Sequence, residues 1–259
     1  MGGLGDSLLV YPVLEILTKK GYEVTVWGNP EYFSLAIKAG FCKKATIYEP
    51  KEEFKLKIIF SQNKEILKSE NSIYVKPIPN QKIWIVEHYL RELGFKNELF
   101  SRNLPIRFLQ EKQGNLCIIH PGSGSKKKNP ELIFFLKIEK ILNDCGYETL
   151  YLLGPAERRL SGEFKNFLYA ENPLEIAEIL LKANLYIGLD SGISHLSSYL
   201  GIPSIIIFGP TDPVVWHPIG KNFFIIREES CPPCFPNVCE KKDCFSEDLL
   251  IERVVQKLK

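Results

Sequence analysis

Three clusters in this 259-residue chain combine residue types and spacing suited to a phosphorylated, hydroxyl-rich ligand. Gly188-Leu189-Asp190-Ser191-Gly192-Ile193-Ser194-His195 stands between an apolar run and a helical pattern. A helix starting there would point its free N–H groups and its dipole out of the carboxyl edge of a sheet, where phosphate binds. Asp190 at the strand tip suits accepting hydrogen bonds from hydroxyls, and Ser191 and Gly192 let a phosphate come close to the backbone. Capping of the helix by Asp190 or Ser191 explains the same spacing without a ligand. His195, inside the helix, equally suits a packed structural role.

The second cluster is His120-Pro121-Gly122-Ser123-Gly124-Ser125 followed by Lys126-Lys127-Lys128. Hydroxyls, glycine amides and ammonium groups converge there after a buried strand; taken alone, the lysines read more readily as a solvated charge run than as an anion site. Two such loops after strands of one domain point to a nucleoside diphosphate lying across the sheet edge. Neither fits G-x-x-x-x-G-K-[ST], so P-loop phosphate transfer has no support. The third cluster, Gly2-Gly3-Leu4-Gly5-Asp6, lacks G-x-G-x-x-G, which weakens a dinucleotide-dehydrogenase reading. Asp6 there either caps a helix or looks across a cleft as a general base.

The elements that must position these residues form two β-then-α series, the pattern of parallel α/β domains. In the first, the spacing predicts a helix over Ser7–Lys20, kinked at Pro12 and stopped by Gly21, a strand over Glu23–Trp27, and a helix over Pro30–Ala39 ended by Gly40. Strands over Ala45–Tyr48 and Leu56–Phe60 and a helix over Ile83–Leu93 ended by Gly94 follow. A polar stretch around residues 100–115 flanks a short apolar strand and marks the domain junction. The expected division is 1–112, 113–245 and a C-terminal helix over 246–259. The second series has strands at Leu116–Ile119, Thr149–Leu153, Leu185–Gly188 and Ser204–Phe208, and helices at Pro130–Cys145, Pro173–Lys182 and Ser191–Leu200. Its unbroken apolar runs suit parallel strands covered on both faces.

Composition excludes several classes. With 45% hydrophobic, 25% charged and 12% aromatic residues the chain is globular, and a mean hydropathy of −0.07 argues against an integral membrane protein. Net charge is +2, from 33 basic and 31 acidic residues, too small for a general nucleic-acid binder. Residues 1–112 hold 17 basic and 13 acidic side chains, so the first half is the more positive. No secretory leader is legible, because Asp6 stands where a basic region should be and Glu15 interrupts Leu8–Leu17, and a cytoplasmic chain is expected. Of seven cysteines, Cys231, Cys234, Cys239 and Cys244 cluster with loose spacing. Zinc, one or two disulfides, and free thiols all remain open for them.

Gly188–Pro213, reading GLDSGISHLSSYLGIPSIIIFGPTDP, resembles the signature of the family 9 glycosyltransferases, the lipopolysaccharide heptosyltransferases. HPGSGSKKKNP (120–130) and GGLGDSLLVYP (2–12) match the other two motifs of that family in order. The resemblance implies a GT-B architecture of two facing Rossmann-like domains with mostly parallel sheets, the N-terminal one shortened. It implies an inverting reaction without metal or other cofactor, with a nucleotide-diphosphate sugar, usually ADP-heptose, held by the second domain. A lipid-linked saccharide acceptor on the first domain, with the enzyme peripheral on the inner face of the cytoplasmic membrane, would complete the scheme. Matched by motif, Asp6 is the catalytic base. Ser123, Gly124, Lys127 (first choice) and Lys128 form the phosphate loop, while Asp190, Ser191, Gly192, Ile193 and His195 bind sugar and diphosphate. Glu157 matches a carboxylate that contacts the ribose. The family normally has a strand just before the first glycine loop, so either the true start lies upstream or the first sheet lacks its central strand. A sugar-nucleotide epimerase and a non-catalytic sugar-nucleotide or glycan binder are the alternatives.

Overall fold

The computed structural model of the chain describes residues 2–61, 71–108, 112–125, 128–234 and 245–258. Its first half opens with helix α1 (Leu4–Lys19), which continues through Pro12. Strand β1 (Thr25–Trp27), helix α2 (Pro30–Lys38), strands β2 (Lys44–Thr46), β3 (Lys57–Phe60) and β4 (Ser72–Val75), and helix α3 (Ile85–Glu92) follow. Asn29 caps α2, its side chain accepting from the Glu31 N–H at 3.0 Å, and Pro30 occupies the first turn, where no donor is needed. Gly21, Gly40 and Gly94 end the three helices at φ of 85°, 74° and 75°, a backbone region that glycine enters freely.

The second half is one six-stranded parallel sheet in the order β10-β9-β8-β5-β6-β7. Its strands are β5 (Leu116–His120), β6 (Glu148–Leu153), β7 (Phe167–Tyr169), β8 (Leu185–Leu189), β9 (Ser204–Phe208) and β10 (Phe223–Arg227). Helices α4 (Leu132–Asp144), α5 (Pro173–Leu180), α6 (Gly192–Tyr199) and α7 (Pro213–Trp216) connect them, and α8 (Glu247–Leu258) follows. β5, β8 and β9 are buried at every position. Successive side chains pass to opposite faces: Ile118 joins one core, while Cys117 and Ile119 join the other. Phe134, Phe135, Ile138 and Leu142 of α4 and Leu250 and Val254 of α8 cover the latter face.

The other core crosses between the halves. Leu8, Leu9, Val13 and Ile16 of α1 share a buried cluster with Leu35 of α2, Val86 of α3, Ile176 of α5 and Leu196 of α6. Two further contacts tie the halves, and a third buried cluster lies within the first. The Trp84 Nε1–H donates to the His217 carbonyl at 2.8 Å, and the two rings stack. Arg102 lies over the Trp84 ring and donates to the carbonyls of Ile219 and Gly220. Glu15, buried in α1, accepts from the Ser101 N–H and hydroxyl and pairs with Lys19. Burial of this carboxylate is tolerated because every partner reaches it.

Two expectations need correction. Residues 104–108 form no strand: Pro105 removes a ladder donor, and the Leu104 N–H donates to the Tyr199 carbonyl at the end of α6. β4, β7 and β10, all short or partly exposed, were not anticipated.

Candidate functional site

The sheet order reverses between β5 and β8, which are neighbours; β6 and β7 continue one way, β9 and β10 the other. α4, after β5, covers one face, and α6, after β8, covers the opposite face. The two loops therefore diverge and leave a crevice at the carboxyl edge, the usual ligand position in such sheets. A cavity of about 1420 Å³ opens there, reached by His120, Ser123, Lys128, Asp190 and His195 from the second half and by Asp6 from the first.

Asp190 follows directly on β8 and is buried. Its Oδ2 accepts from Lys128 Nζ and from Thr211 Oγ1, each at 2.7 Å, and its Oδ1 lies 3.7 Å from His195 Nε2. Burial alone would raise the carboxyl pKa, but His195 and Lys128 hold it well below the usual carboxylate range. Asp190 is thus an ionised acceptor with two partners already in place.

His120 ends β5 with Nδ1 2.8 Å from the Leu152 carbonyl, which only accepts, so Nδ1 carries the hydrogen. Its Nε2 lies 4.0 Å from Glu157 Oε2, and burial lowers the imidazole pKa. Glu157 sits in the 3₁₀ turn Pro155–Leu160, and its carboxylate accepts from the Gly154 N–H at 3.1 Å. It is buried and fills the space a side chain at 122 would need: a Cβ on Gly122 would lie 1.8 Å from Glu157 Oε1. Ser123 is buried beside this pair, its Oγ 3.0 Å from the Ser125 carbonyl and 2.6 Å from Asn129 Oδ1. Gly124 is exposed, with open space where a Cβ would stand. Lys126 and Lys127 lie outside the described residues, and so do Cys239 and Cys244; Cys231 is buried and Cys234 half-buried.

Ser191 caps α6, its Oγ accepting from the Ser194 N–H at 3.3 Å. Ser194 Oγ meets the Tyr186 hydroxyl at 2.9 Å and the Leu189 carbonyl. The glycine at 192 has a reason that spacing did not show. A Cβ there would come 2.9 Å from both Gly5 N and Leu4 Cβ, so α1 and α6 come together at their N-terminal turns. Ile193 is buried near Gly154. His195 Nδ1 is buried without a partner among the described residues. Asp6 stands in the first turn of α1, exposed, with Oδ2 accepting from the Gly3 N–H at 2.8 Å. Capping and access to the cavity are therefore both satisfied by one carboxylate.

Of the proposed residues, the structure brings Asp6, Ser123, Gly124, Lys128, Glu157, Asp190, Ser191, Gly192, Ile193 and His195 to one cavity. Sequence reasoning gave no role to Thr211, although it follows β9, the strand next to β8, and so stands at the same carboxyl edge. His120 was read only as part of the glycine–serine run.

Among the described residues no helix is long and apolar enough to cross a membrane. The family model for glycosyltransferase family 9 (heptosyltransferase) matches residues 92–244. Lipopolysaccharide heptosyltransferase 1 of Escherichia coli K12 is 38% identical over 52 residues, a match taking in 20% of this chain and only 16% of that protein. Lipooligosaccharide heptosyltransferase 2 of Campylobacter jejuni (serotype O:6, strain 81116) is 23% identical over 87% of this chain and 74% of its own length. The structure of E. coli heptosyltransferase WaaC with ADP superposes with a TM-score of 0.70 at 15% identity, covering 100% of this chain and 98% of that one. That likeness establishes a GT-B-like α/β fold. With the family model covering more than half of the sequence, the chain belongs to glycosyltransferase family 9, the heptosyltransferase family.

Proposed function

We propose that the chain transfers a sugar, heptose from ADP-heptose, to a hydroxyl of a lipid-linked saccharide, with inversion and without a metal. The observation that carries this reading is that an ionised, partnered Asp190, Lys128 and the α6 N-terminus line the same cavity as the exposed carboxylate of Asp6. The diphosphate would lie over Ser123, Gly124 and the N–H groups of α6, with Lys128 beside it. Lys127 is proposed as a second ammonium on sequence grounds. Asp190 and His195 would hold donor hydroxyls, and Glu157 and His120 would set the shape of the loop beneath them.

Asp6 takes the proton from the acceptor hydroxyl as its oxygen bonds to the anomeric carbon. The bond from that carbon to the diphosphate oxygen breaks, and the leaving charge is met by Lys128 and the α6 amides. The acceptor is assigned to the first half, and contact with the inner face of the cytoplasmic membrane follows from the lipid on that acceptor. We place the boundary between acceptor-side and donor-side domains near residues 112–113.

A thermal-shift screen across ADP-, UDP-, GDP- and CMP-linked sugars tests the donor, and an assay of transfer from the stabilising donor to a lipid-linked saccharide tests the reaction. A rise in melting temperature with ADP-heptose and release of ADP only with acceptor are expected. Stabilisation without turnover would make the protein a sugar-nucleotide binder, and isomerisation without acceptor would make it an epimerase.

A further inference from the structure

We infer that Thr211 is a positioning residue of the donor site: its hydroxyl holds the Asp190 carboxylate in place while Lys128 turns to the diphosphate, so that Asp190 keeps one oxygen facing the sugar. This rests on the donor assignment proposed above. An aspartate carboxyl turns readily about its last side-chain bond, whose torsion is broad and roughly two-fold. To present one chosen oxygen to a ligand, it must be held by the other. Asp190 Oδ2 accepts from Lys128 Nζ and from Thr211 Oγ1, each at 2.7 Å. Oδ1 lies 3.7 Å from His195 Nε2, too far for a full hydrogen bond, and so has room to accept from a hydroxyl in the cavity that Asp190, Thr211 and His195 all line.

The two holders of Oδ2 differ in what else they can do. Lys128 carries its ammonium on a flexible stem, and a bound diphosphate draws that charge towards itself. A carboxylate held by Lys128 alone would then be released as the sugar arrives. Thr211 is buried, β-branched and stiff at its first torsion, and its single hydroxyl hydrogen goes to Asp190 because an ionised carboxylate only accepts. Its backbone is fixed from both sides. β9, which leads to it, pairs with β8, which leads to Asp190, and the Asp190 N–H donates to the Ile207 carbonyl at 3.0 Å. The Pro210 carbonyl accepts from the Cys234 N–H at 2.9 Å. On the other side Asp212 caps α7 and pairs with Lys82 at 3.3 Å. A rigid neutral donor thus keeps the orientation that the mobile cation gives up. A hydroxyl that merely satisfied a buried charge would matter equally to every ligand, whereas an orienting one matters to the ligand that carries the sugar.

The test is calorimetric titration of the full chain with ADP and with ADP-heptose, in the parent and in Thr211→Val, which keeps the shape of the side chain and removes the hydroxyl. ADP-heptose is expected to bind the variant about tenfold more weakly, and ADP less than about twofold more weakly. Thr211→Ser, which keeps the hydroxyl, should recover most of the loss. Thr211→Ala gives the same comparison should the valine variant fold poorly. Equal losses for both ligands, no loss for either, or a serine variant as impaired as the valine one overturns the inference and leaves the donor assignment standing. Binding of neither ligand by the parent chain overturns the donor assignment and this inference with it.

Discussion

The two halves use the same building unit to different completeness. In the second half the central strands of one continuous sheet are buried at every position, and the charged residue at its edge, Asp190, is buried with Lys128, Thr211 and His195 around it. In the first half two short strand pairs stand apart, none of their strands is fully buried, and Asp6 is exposed with one backbone partner. A continuous, doubly covered sheet can hold a buried charge in fixed geometry. The first half instead leaves its cavity carboxylate, Asp6, exposed to solvent.

The sharpest way to break that contrast is at Asp6. Asp6→Asn keeps size and most of the capping ability but cannot take a proton. Transfer rate should fall by about 10²–10⁴-fold, with melting temperature and ADP affinity nearly unchanged. Normal turnover would reduce Asp6 to a helix cap. Asp190→Ala should act on the fold itself: removing it takes away the buried carboxylate that accepts from Lys128 and Thr211 and lies beside His195, and a loss of about 3 kcal/mol is expected in denaturant unfolding. A loss under 1 kcal/mol would show that the cluster is solvated. In the proposed reading the same variant weakens binding of the complete sugar nucleotide more than of ADP, and equal losses for both would oppose contact with the sugar.

The pH dependence should report on the second half alone, where both groups, Asp190 and His120, lie. The carboxyl of Asp190 has its pKa lowered by folding, so its contribution is complete above the unfolded value near 4 and is lost as pH falls below it. His120 has its pKa lowered by burial, so protonation of the unfolded chain begins to cost stability below about pH 6.5. A chemical-denaturation series from pH 8 to pH 4 should show unfolding free energy falling below about pH 6.5, with His120→Gln reducing that slope. An unaltered slope would remove His120 as its source. The smallest pair of effects concerns glycines. Gly192→Ala should cost about 1–3 kcal/mol because the new methyl meets Gly5 and Leu4. Gly124→Ala, facing open space, should stay within about 0.5 kcal/mol in the same melts.

What the sequence made legible follows the same division. Unbroken apolar runs such as Ile205–Phe208 and the glycine stops at 21, 40 and 94 carry their signal locally, and the corresponding elements are present. The crevice residues were found because loops after parallel strands share one edge by construction. Pairing was not legible. Nothing in Thr211 announces that it bonds Asp190 21 positions earlier. The reason for glycine at 192 lies in Gly5 and Leu4, 187 and 188 positions earlier. The split of the first-half strands into two pairs likewise depends on register and neighbours, which composition does not encode.

The packing of α1 alongside α6 bears on how the cleft can change width. Gly5 and Gly192 touch at the backbone, and the surrounding Leu8, Leu9 and Leu196 belong to a core common to both halves. Swinging the halves apart about a flexible connector would carry those side chains into water, whereas sliding α1 along α6 by a fraction of a helical turn keeps them covered. Separating the halves would therefore expose this shared core and break the Trp84–His217 stack and hydrogen bond as well.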